Sequence, residues 1–349
     1  MKAAVIYGKK DVRIQDIAVP EVTAGKVKVK IAWAGICGSD LHMYHHGAIL
    51  SNEEHPLSGR KPPVVLGHEF AGTVVEVGKG VTNVAVGDRV AVEPILYCGN
   101  CEMCMKGLYT LCEISNTGSL GVHDDGGFAT YIVTDSYHMH KLPDNVSLEE
   151  GALIEPAAVA HHAVSKSGLK AGQRVAVFGA GPIGLFVLLC AQAAGAAETF
   201  VIDISEERLA KAKEIGATHV IHPKHEDVQD KIMTLTEKGV DVAFEAAGAQ
   251  PTFASAIKCL KRAGTLTVVA IYGEEITFDT NILFAKEAKI VWSAAYPNQF
   301  PEVIRLISNG KLDVKQVITK RIPLDNLVEE GLELLVKDKS QAKILVQPV

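Results

Sequence analysis

Residues 174–195 read RVAVFGAGPIGLFVLLCAQAAG, and they carry the strongest indication of the fold. An apolar run that predicts a strand leads directly into a G-x-G-x-x-G sequence, and a run that predicts a buried helix follows it. The motif alone is a weak signal, but in a strand–turn–helix its glycines let the backbone approach a pyrophosphate at a helix N-terminus. The stretch therefore predicts a dinucleotide site at Gly179, Gly181, Pro182, Ile183 and Gly184.

Asp203 ends the next predicted strand, nineteen residues after Gly184. An acid at this place binds the adenosine ribose hydroxyls and repels a 2′-phosphate, so the sequence favours NAD over NADP. The alternative is that Asp203 only caps the helix that begins near Ser205. The strand and the spacing favour the cofactor role. Arg208, one turn into that helix, either flanks the adenosine or is a solvated surface arginine.

The pattern of apolar and polar residues changes near residue 151. Before it, short alternating runs with glycine turns predict a mostly β region. After it, six strand candidates alternate with helical patterns, which predicts a doubly wound parallel sheet covered on both faces. From residue 296 the pattern is mixed and ends in a strand that could return to the first region. We therefore expect a discontinuous domain of residues 1–154 and 296–349, and a nucleotide-binding domain of residues 155–295.

Four cysteines, Cys98, Cys101, Cys104 and Cys112, lie within the fifteen residues CGNCEMCMKGLYTLC. Four thiolates at this spacing can converge on one tetrahedral zinc and leave no open position, which is typical of a structural site. Disulfides are the alternative, but they need an oxidising compartment, and MKAAVIYGKK does not resemble a signal peptide. The spacing predicts a structural zinc.

Other zinc-type ligands are scattered: Cys37 after a strand, His68 and Glu69 in GHEFAG, and Glu155 at a helix entry. Three protein ligands plus an open position make a catalytic zinc site. Each residue also has an ordinary structural reading, as a core cysteine, a turn histidine or a first-turn helix acid. Sequence spacing alone cannot bring these residues together.

The composition is that of a globular enzyme, with 48% hydrophobic and 22% charged residues. A net charge of −6 without a basic run argues against a nucleic-acid surface. The apolar run at 182–197 follows a glycine turn and is broken by Gln and Gly, so it predicts a buried helix and no membrane span. We expect a cytoplasmic protein.

The chain resembles the zinc-containing medium-chain alcohol and polyol dehydrogenases over nearly its whole length. The motifs that carry this resemblance are CGSDLH, GHEFAG, VGDRV, the four-cysteine lobe, EPAAVA and GAGPIG. The insert HHGAILSNEEHPLSGRKPPVVLGHEF and the segment KDKSQAKILVQP are most similar to its butanediol branch. The family implies an α/β protein with a GroES-like catalytic domain and a six-stranded Rossmann domain, two zinc ions per chain, NAD, and a homodimer or homotetramer.

The resemblance also implies residue roles. Cys37, His68 and Glu155 would hold the catalytic zinc, and Glu69 would be an alternative or transient ligand. Whether Glu155 binds directly or through water stays open.

Three further residues of CGSDLH would assist. Asp40 would orient His68, Ser39 would contact the substrate oxygen, and His42 would pass its proton to solvent.

The implied reaction interconverts a vicinal diol and a hydroxyketone, (R,R)-2,3-butanediol and acetoin, with diacetyl reduction as a related activity. Sorbitol-type polyols and L-threonine remain alternative substrates for the same metal and cofactor. A zinc-free quinone reductase would not need Cys37, His68 and Glu155. A non-enzymatic zinc module that contacts nucleic acid is disfavoured by the acidic charge and the nucleotide motif.

Overall fold

The computed structural model describes residues 1–47, 53–116 and 118–348, and its contacts divide the chain into two units. The first unit comprises Met1–Glu155, Phe300–Gly310 and Ile318–Val349, and the second comprises Pro156–Gln299 and Lys311–Val317. The boundaries lie after residues 155 and 299, where the sequence suggested 154 and 295. Residues 311–317 pack with the second unit, although the sequence placed them with the first.

Strands predominate in the first unit, and strands alternate with helices in the second. In chain order, the strands are β1 (Lys2–Gly8), β2 (Asp11–Asp16), β3 (Lys26–Gly35), β4 (Val64–Val65), β5 (Glu69–Val77), β6 (Arg89–Val92), β7 (Tyr131–Asp135), β8 (Met139–Lys141), β9 (Arg174–Phe178), β10 (Glu198–Ile202), β11 (His219–Ile221), β12 (Val240–Glu245), β13 (Leu260–Val268), β14 (Lys289–Trp292), β15 (Ile318–Pro323) and β16 (Lys343–Gln347). The α-helices are α1 (Gly38–His46), α2 (Glu102–Met105), α3 (Leu148–Ala152), α4 (Ile154–Ser167), α5 (Pro182–Ala193), α6 (Glu206–Glu214), α7 (Val228–Thr236), α8 (Gln250–Cys259), α9 (Thr280–Lys286), α10 (Phe300–Ser308) and α11 (Leu334–Lys337). Short 3-10 segments lie at Tyr109–Leu111, Ser136–His138, Val314–Val317 and Leu324–Asn326, and a π-helix lies at Leu327–Glu333.

The second unit is built on a parallel sheet with the strand order β11-β10-β9-β12-β13-β14. The central strand β9 is buried at every position from Val175 to Phe178, because helices cover both faces of such a sheet. The predicted doubly wound α/β fold is confirmed, and its six strands coincide with the six candidates in the sequence.

The first unit is mostly β. One sheet has the order β2-β1-β4, and a larger one has the order β15-β16-β3-β5-β6-β8, with β7 also paired to β3. The core between these elements is formed by apolar side chains that include Ile31, Phe70 and Phe128. Among the described residues, no helix is both long and apolar enough to span a bilayer.

The register of the larger sheet positions the candidate metal site. β3 and β5 are antiparallel with Gly35 opposite Glu69. β16 runs antiparallel to the other side of β3, with Leu345 opposite Gly35. Three sequence-distant strand ends therefore meet just beyond Gly35.

Candidate functional site

Cys37, His68 and Glu69 are brought together by the β3–β5 register. Cys37 lies two residues after β3 and is the N-cap of α1, while His68 directly precedes β5. The ligand atoms of the three residues lie within 4.8 Å of one another. His68 and Glu69 are buried and Cys37 is half-buried, so the group is a confined set of sulfur, nitrogen and oxygen donors.

Lys343 is a member of this site that the sequence reasoning missed. Its Nζ donates to both carboxylate oxygens of Glu69, at 2.8 and 2.7 Å, and to the carbonyl oxygen of Ile36 at 2.9 Å. Lys343 is 1% exposed and Glu69 is fully buried. The only signal in the sequence was a single lysine at the start of an otherwise apolar strand.

The pKa of Lys343 reflects the negative charges around it, and Glu155 is one of them. Burial alone would lower the pKa of Lys343, but the negative charges of Glu69, Cys37 and Glu155 raise it. Glu155 is buried near the start of α4. Glu155 therefore acts on Lys343 through its charge, whereas Glu69 is held by Lys343 through both oxygens.

Only one of these carboxylates belongs to the compact ligand group. The atoms within 4.8 Å of each other include Glu69 and not Glu155. Both oxygens of Glu69 accept from Lys343, so a metal at Glu69 would compete with the ammonium group for the same negative charge. This competition favours Glu155 as the standing carboxylate ligand and Glu69 as the transient one, and both assignments stay predictions.

Ser39 and Asp40 contact the two nitrogens of His68. Ser39 Oγ lies 3.4 Å from Nε2, and Asp40 Oδ1 lies 3.6 Å from Nδ1. Asp40 is fully buried and its other oxygen accepts a hydrogen bond from the Cys37 amide at 2.9 Å. Asp40 therefore joins the two predicted ligands. His42 lies one turn beyond Ser39 on α1 and is exposed.

The electrostatics of this pocket suit a cation. Burial alone would lower the pKa of His68, but the neighbouring Cys37 and Asp40 raise it well above its usual value. Asp40 Oδ1 and His68 Nδ1 are buried and have no hydrogen-bond partner among the described residues. A site that attracts a proton to a buried imidazole in this way fits a zinc ion, which would supply the positive charge instead.

The four lobe cysteines form a second compact group, with their sulfurs within 4.8 Å of one another. All are free thiols, and the Cys98 and Cys104 sulfurs are 3.9 Å apart, far beyond a disulfide bond. Backbone hydrogen bonds from Cys104 and Glu113 lower the pKa of Cys101, while burial and Cys101 raise that of Cys104. Four thiolates at these distances would repel one another without a cation between them, so the lobe also fits a zinc ion.

The glycine turn of the second unit has the geometry that the motif predicts. Gly179 has φ +100° and packs against the Ala247 amide, and a Cβ at Gly184 would overlap the Gly179 carbonyl. A Cβ at Gly181 would meet no atom within 4 Å, so the backbone there faces open space. α5 begins at Pro182 with its free N–H groups at the turn, which is a setting for a pyrophosphate.

Asp203 follows β10 and ties the glycine turn to the next helix. Its oxygens accept hydrogen bonds from the Ala180 amide at 2.7 Å and the Ser205 amide at 2.9 Å. The N-cap of α6 is Ser205, whose hydroxyl accepts a hydrogen bond from the Arg208 amide. Asp203 is therefore not the cap of this helix. Arg208 Nη1 lies 3.9 Å from the Asp203 carboxylate.

Comparison of the chain with known proteins identifies the family of zinc-binding dehydrogenases. Residues 23–144 match the alcohol dehydrogenase GroES-like domain, and residues 182–309 match the zinc-binding dehydrogenase domain. The chain is 45% identical to the (R,R)-butanediol dehydrogenase of Bacillus subtilis, with 100% of both chains covered. It is 36% identical to the sorbitol dehydrogenase of the same organism, over 100% of this chain and 97% of that one. The crystal structure of 2R,3R-butanediol dehydrogenase from Bacillus subtilis superposes with a TM-score of 0.95 at 44% identity, over 100% of this chain and 99% of that chain.

Proposed function

Since the chain belongs to the zinc-binding dehydrogenase family, we propose that it interconverts (R,R)-2,3-butanediol and acetoin with NAD(H) and reduces diacetyl to acetoin. The observation that carries the proposal is the compact group of Cys37, His68 and Glu69, in a chain 45% identical over its full length to a butanediol dehydrogenase. The first unit would be the catalytic domain and the second the NAD-binding domain.

The proposed metal content is two zinc ions per chain. Cys37, His68 and Glu155 would hold the catalytic ion, and the four lobe cysteines would hold the structural one. When bound, zinc supplies a Lewis acid and the dinucleotide supplies a hydride acceptor. We propose a homodimer or homotetramer, which light scattering would distinguish.

The chain's own residues would handle the proton. Oxidation of an alcohol releases one hydride and one proton. Ser39 Oγ, on the Nε2 side of His68, would receive the hydroxyl proton, and the exposed His42 one turn away would pass it to water. Asp40 would hold the imidazole of His68 in place, and Lys343 would keep Glu69 drawn back.

NAD would be preferred over NADP because the Asp203 carboxylate is fixed beside the glycine turn by the Ala180 amide and by the Ser205 amide at the start of α6. A 2′-phosphate would meet that negative charge. We expect Asp203→Ala to lower the ratio of kcat/KM with NAD to kcat/KM with NADP, chiefly because the KM for NADP falls relative to that for NAD. Wild-type protein that works better with NADP would contradict this assignment.

The substrate is tested by kcat/KM on (R,R)-, meso- and (S,S)-2,3-butanediol against sorbitol and L-threonine. We expect the (R,R) diol to be the best, the meso isomer to react at one carbon, and the (S,S) isomer to be poor, through differences in transition-state stabilisation. A clear preference for sorbitol or L-threonine would overturn the substrate but leave the zinc–NAD chemistry. Sorbitol is the specific alternative, because a sorbitol dehydrogenase is 36% identical over nearly the same length.

A further inference from the structure

We propose that Glu206, His222 and His225 form a third metal site, which binds a divalent transition ion such as Zn²⁺ on the surface of the second unit. Glu206 is the first residue of α6, His222 follows β11, and His225 lies in the turn after it. One ligand atom from each residue lies within 4.8 Å of the other two. None of the three belongs to the proposed zinc–NAD machinery.

The donor separations are close to those of a coordination sphere. Glu206 Oε1 lies 3.4 Å from His225 Nδ1 and 3.9 Å from His222 Nε2. Two ligands bound to zinc at 2.0–2.2 Å are separated by roughly 3.0–3.5 Å in tetrahedral or adjacent octahedral positions. Two imidazoles and a carboxylate are a donor set that suits zinc, nickel and copper rather than magnesium or calcium.

His222 is the fixed member of the group. The segment after it is held by hydrogen bonds from the His225 amide and the Glu226 amide to the His222 carbonyl, at 2.9 and 3.2 Å. The His222 side chain is 10% exposed, with Nε2 3.0 Å from the Ile204 carbonyl and Nδ1 accepting from the Lys224 amide at 3.2 Å. This pattern assigns the proton of the neutral ring to Nε2.

Metal binding therefore requires a defined rearrangement. The His222 proton moves to Nδ1, the hydrogen bonds to Ile204 and Lys224 are exchanged for a metal–Nε2 bond, and the ring stays neutral. His225 stacks on His222 with centroids 4.3 Å apart and planes at 15°. A metal lies near the plane of each imidazole, so the stack must open. The His225 side chain is 65% exposed and can rotate at little packing cost.

The surroundings leave the carboxylate available. Lys213, the lysine that lines the same cavity, donates to the Ala217 and Thr218 carbonyls at 3.4 and 3.1 Å. An ion here would tie the start of α6 to the segment after β11. Because it binds only the folded chain in this geometry, it would stabilise the second unit.

Equilibrium dialysis of the full-length, zinc-replete protein against a series of free Zn²⁺ concentrations tests the proposal, with zinc counted per chain by mass spectrometry. We expect wild type to gain about one zinc beyond the tightly held amount, and its melting temperature to rise with added zinc. His225→Ala and Glu206→Gln should each weaken the extra binding by about tenfold or more, and His222→Ala/His225→Ala should abolish it.

The matched control is Glu226→Gln, which removes a carboxylate from the same turn but one that pairs with Lys231 at 2.7 Å. It should bind the extra zinc like wild type, and all variants should keep dehydrogenase turnover, which shows that they fold. No extra zinc in wild type would overturn the site. Equal extra binding in every variant would do the same, and so would binding lost in His225→Ala but kept in Glu206→Gln.

Discussion

At the scale of single residues, the buried pair of Lys343 and Glu69 makes a strong demand on the sequence. Both side chains are withdrawn from water, and each oxygen of Glu69 accepts from Lys343. Such a pair adds little over an apolar pair of the same shape, but losing one partner leaves a buried charge without compensation. Neither residue can therefore change alone without cost.

We expect Lys343→Met to lower the free energy of unfolding by about 3–5 kcal/mol, measured by urea titration. Adding Glu69→Gln should restore a large part of that loss, because no charge then remains buried. The control is Lys2→Met, which breaks an exposed pair with Asp325 and should cost at most about 1 kcal/mol. Equal losses for the two lysine variants would contradict the role of burial.

His138 is a further buried titratable residue, and it belongs to neither of the proposed zinc sites. Its Nδ1 lies 2.5 Å from the Glu93 carbonyl oxygen, and its Nε2 has no hydrogen-bond partner among the described residues. Burial lowers the pKa of His138 to about 4. The ring is thus neutral in the folded protein and donates through Nδ1.

This lowered pKa predicts an acid-sensitive term in stability. Between the ordinary pKa of 6.5 and the folded pKa of about 4, the unfolded chain binds more protons, so the free energy of unfolding falls as pH falls. The term is absent above pH 6.5 and reaches about 3 kcal/mol near pH 4. His138→Asn keeps an N–H donor without the titration, so its stability should fall less steeply in urea titrations from pH 7 to 4. Parallel curves for the two proteins would refute this prediction.

At the scale of elements, the β3–β5 pairing depends on the missing side chain of Gly35. A Cβ there would overlap Glu69 Oε2 across the sheet. We expect Gly35→Ala to displace the Glu69 carboxylate, cost about 1–3 kcal/mol, and weaken zinc retention at the proposed catalytic site while the cysteine lobe keeps its zinc. Gly8→Ala is the control, since its Cβ at the end of β1 would meet no atom within 4 Å. Unchanged metal content and stability in Gly35→Ala would show that the carboxylate adapts.

The elements themselves were largely predictable, and their pairing was not. Apolar runs and glycine punctuation located the strands of the second unit, because a parallel sheet buried on both faces leaves an unbroken apolar signal. No such signal states that Gly35 faces Glu69 on one side and Leu345 on the other. Register follows from packing across the sheet, which is why Lys343 and the narrow space at Gly35 escaped the sequence reasoning.

At the scale of the whole molecule, we expect two zinc ions of unequal function. His68→Ala should lose one zinc and abolish turnover while leaving the fold largely intact. Cys101→Ser should lose the other and destabilise residues 98–112, because metal binding to thiolates is coupled to local folding. Zinc per chain by mass spectrometry, with hydrogen exchange over the lobe, checks both variants. Fully active protein with one zinc or none would defeat the two-site proposal.

Much of the proposed active site was accessible from motifs, but for different physical reasons. The glycine turn and the cysteine quartet are local, so short spacings report their geometry directly. Cys37, His68 and Glu155 are distant in sequence, and only family resemblance grouped them. The structure brings Cys37 and His68 together with Glu69, and it adds Lys343, while the assignment of Glu155 as a ligand stays a prediction.

The strand register around Gly35 also determines when, during synthesis of the chain, the site can form. Lys343 is synthesised 274 residues after Glu69. At translation speeds of about 5–20 residues per second, that interval lasts roughly 15–55 s. During it, β5 is available to β3, but the cation that makes burial of the Glu69 carboxylate tolerable has not yet left the ribosome. We therefore expect Glu69 to stay hydrated in the nascent first unit until β16 pairs with β3.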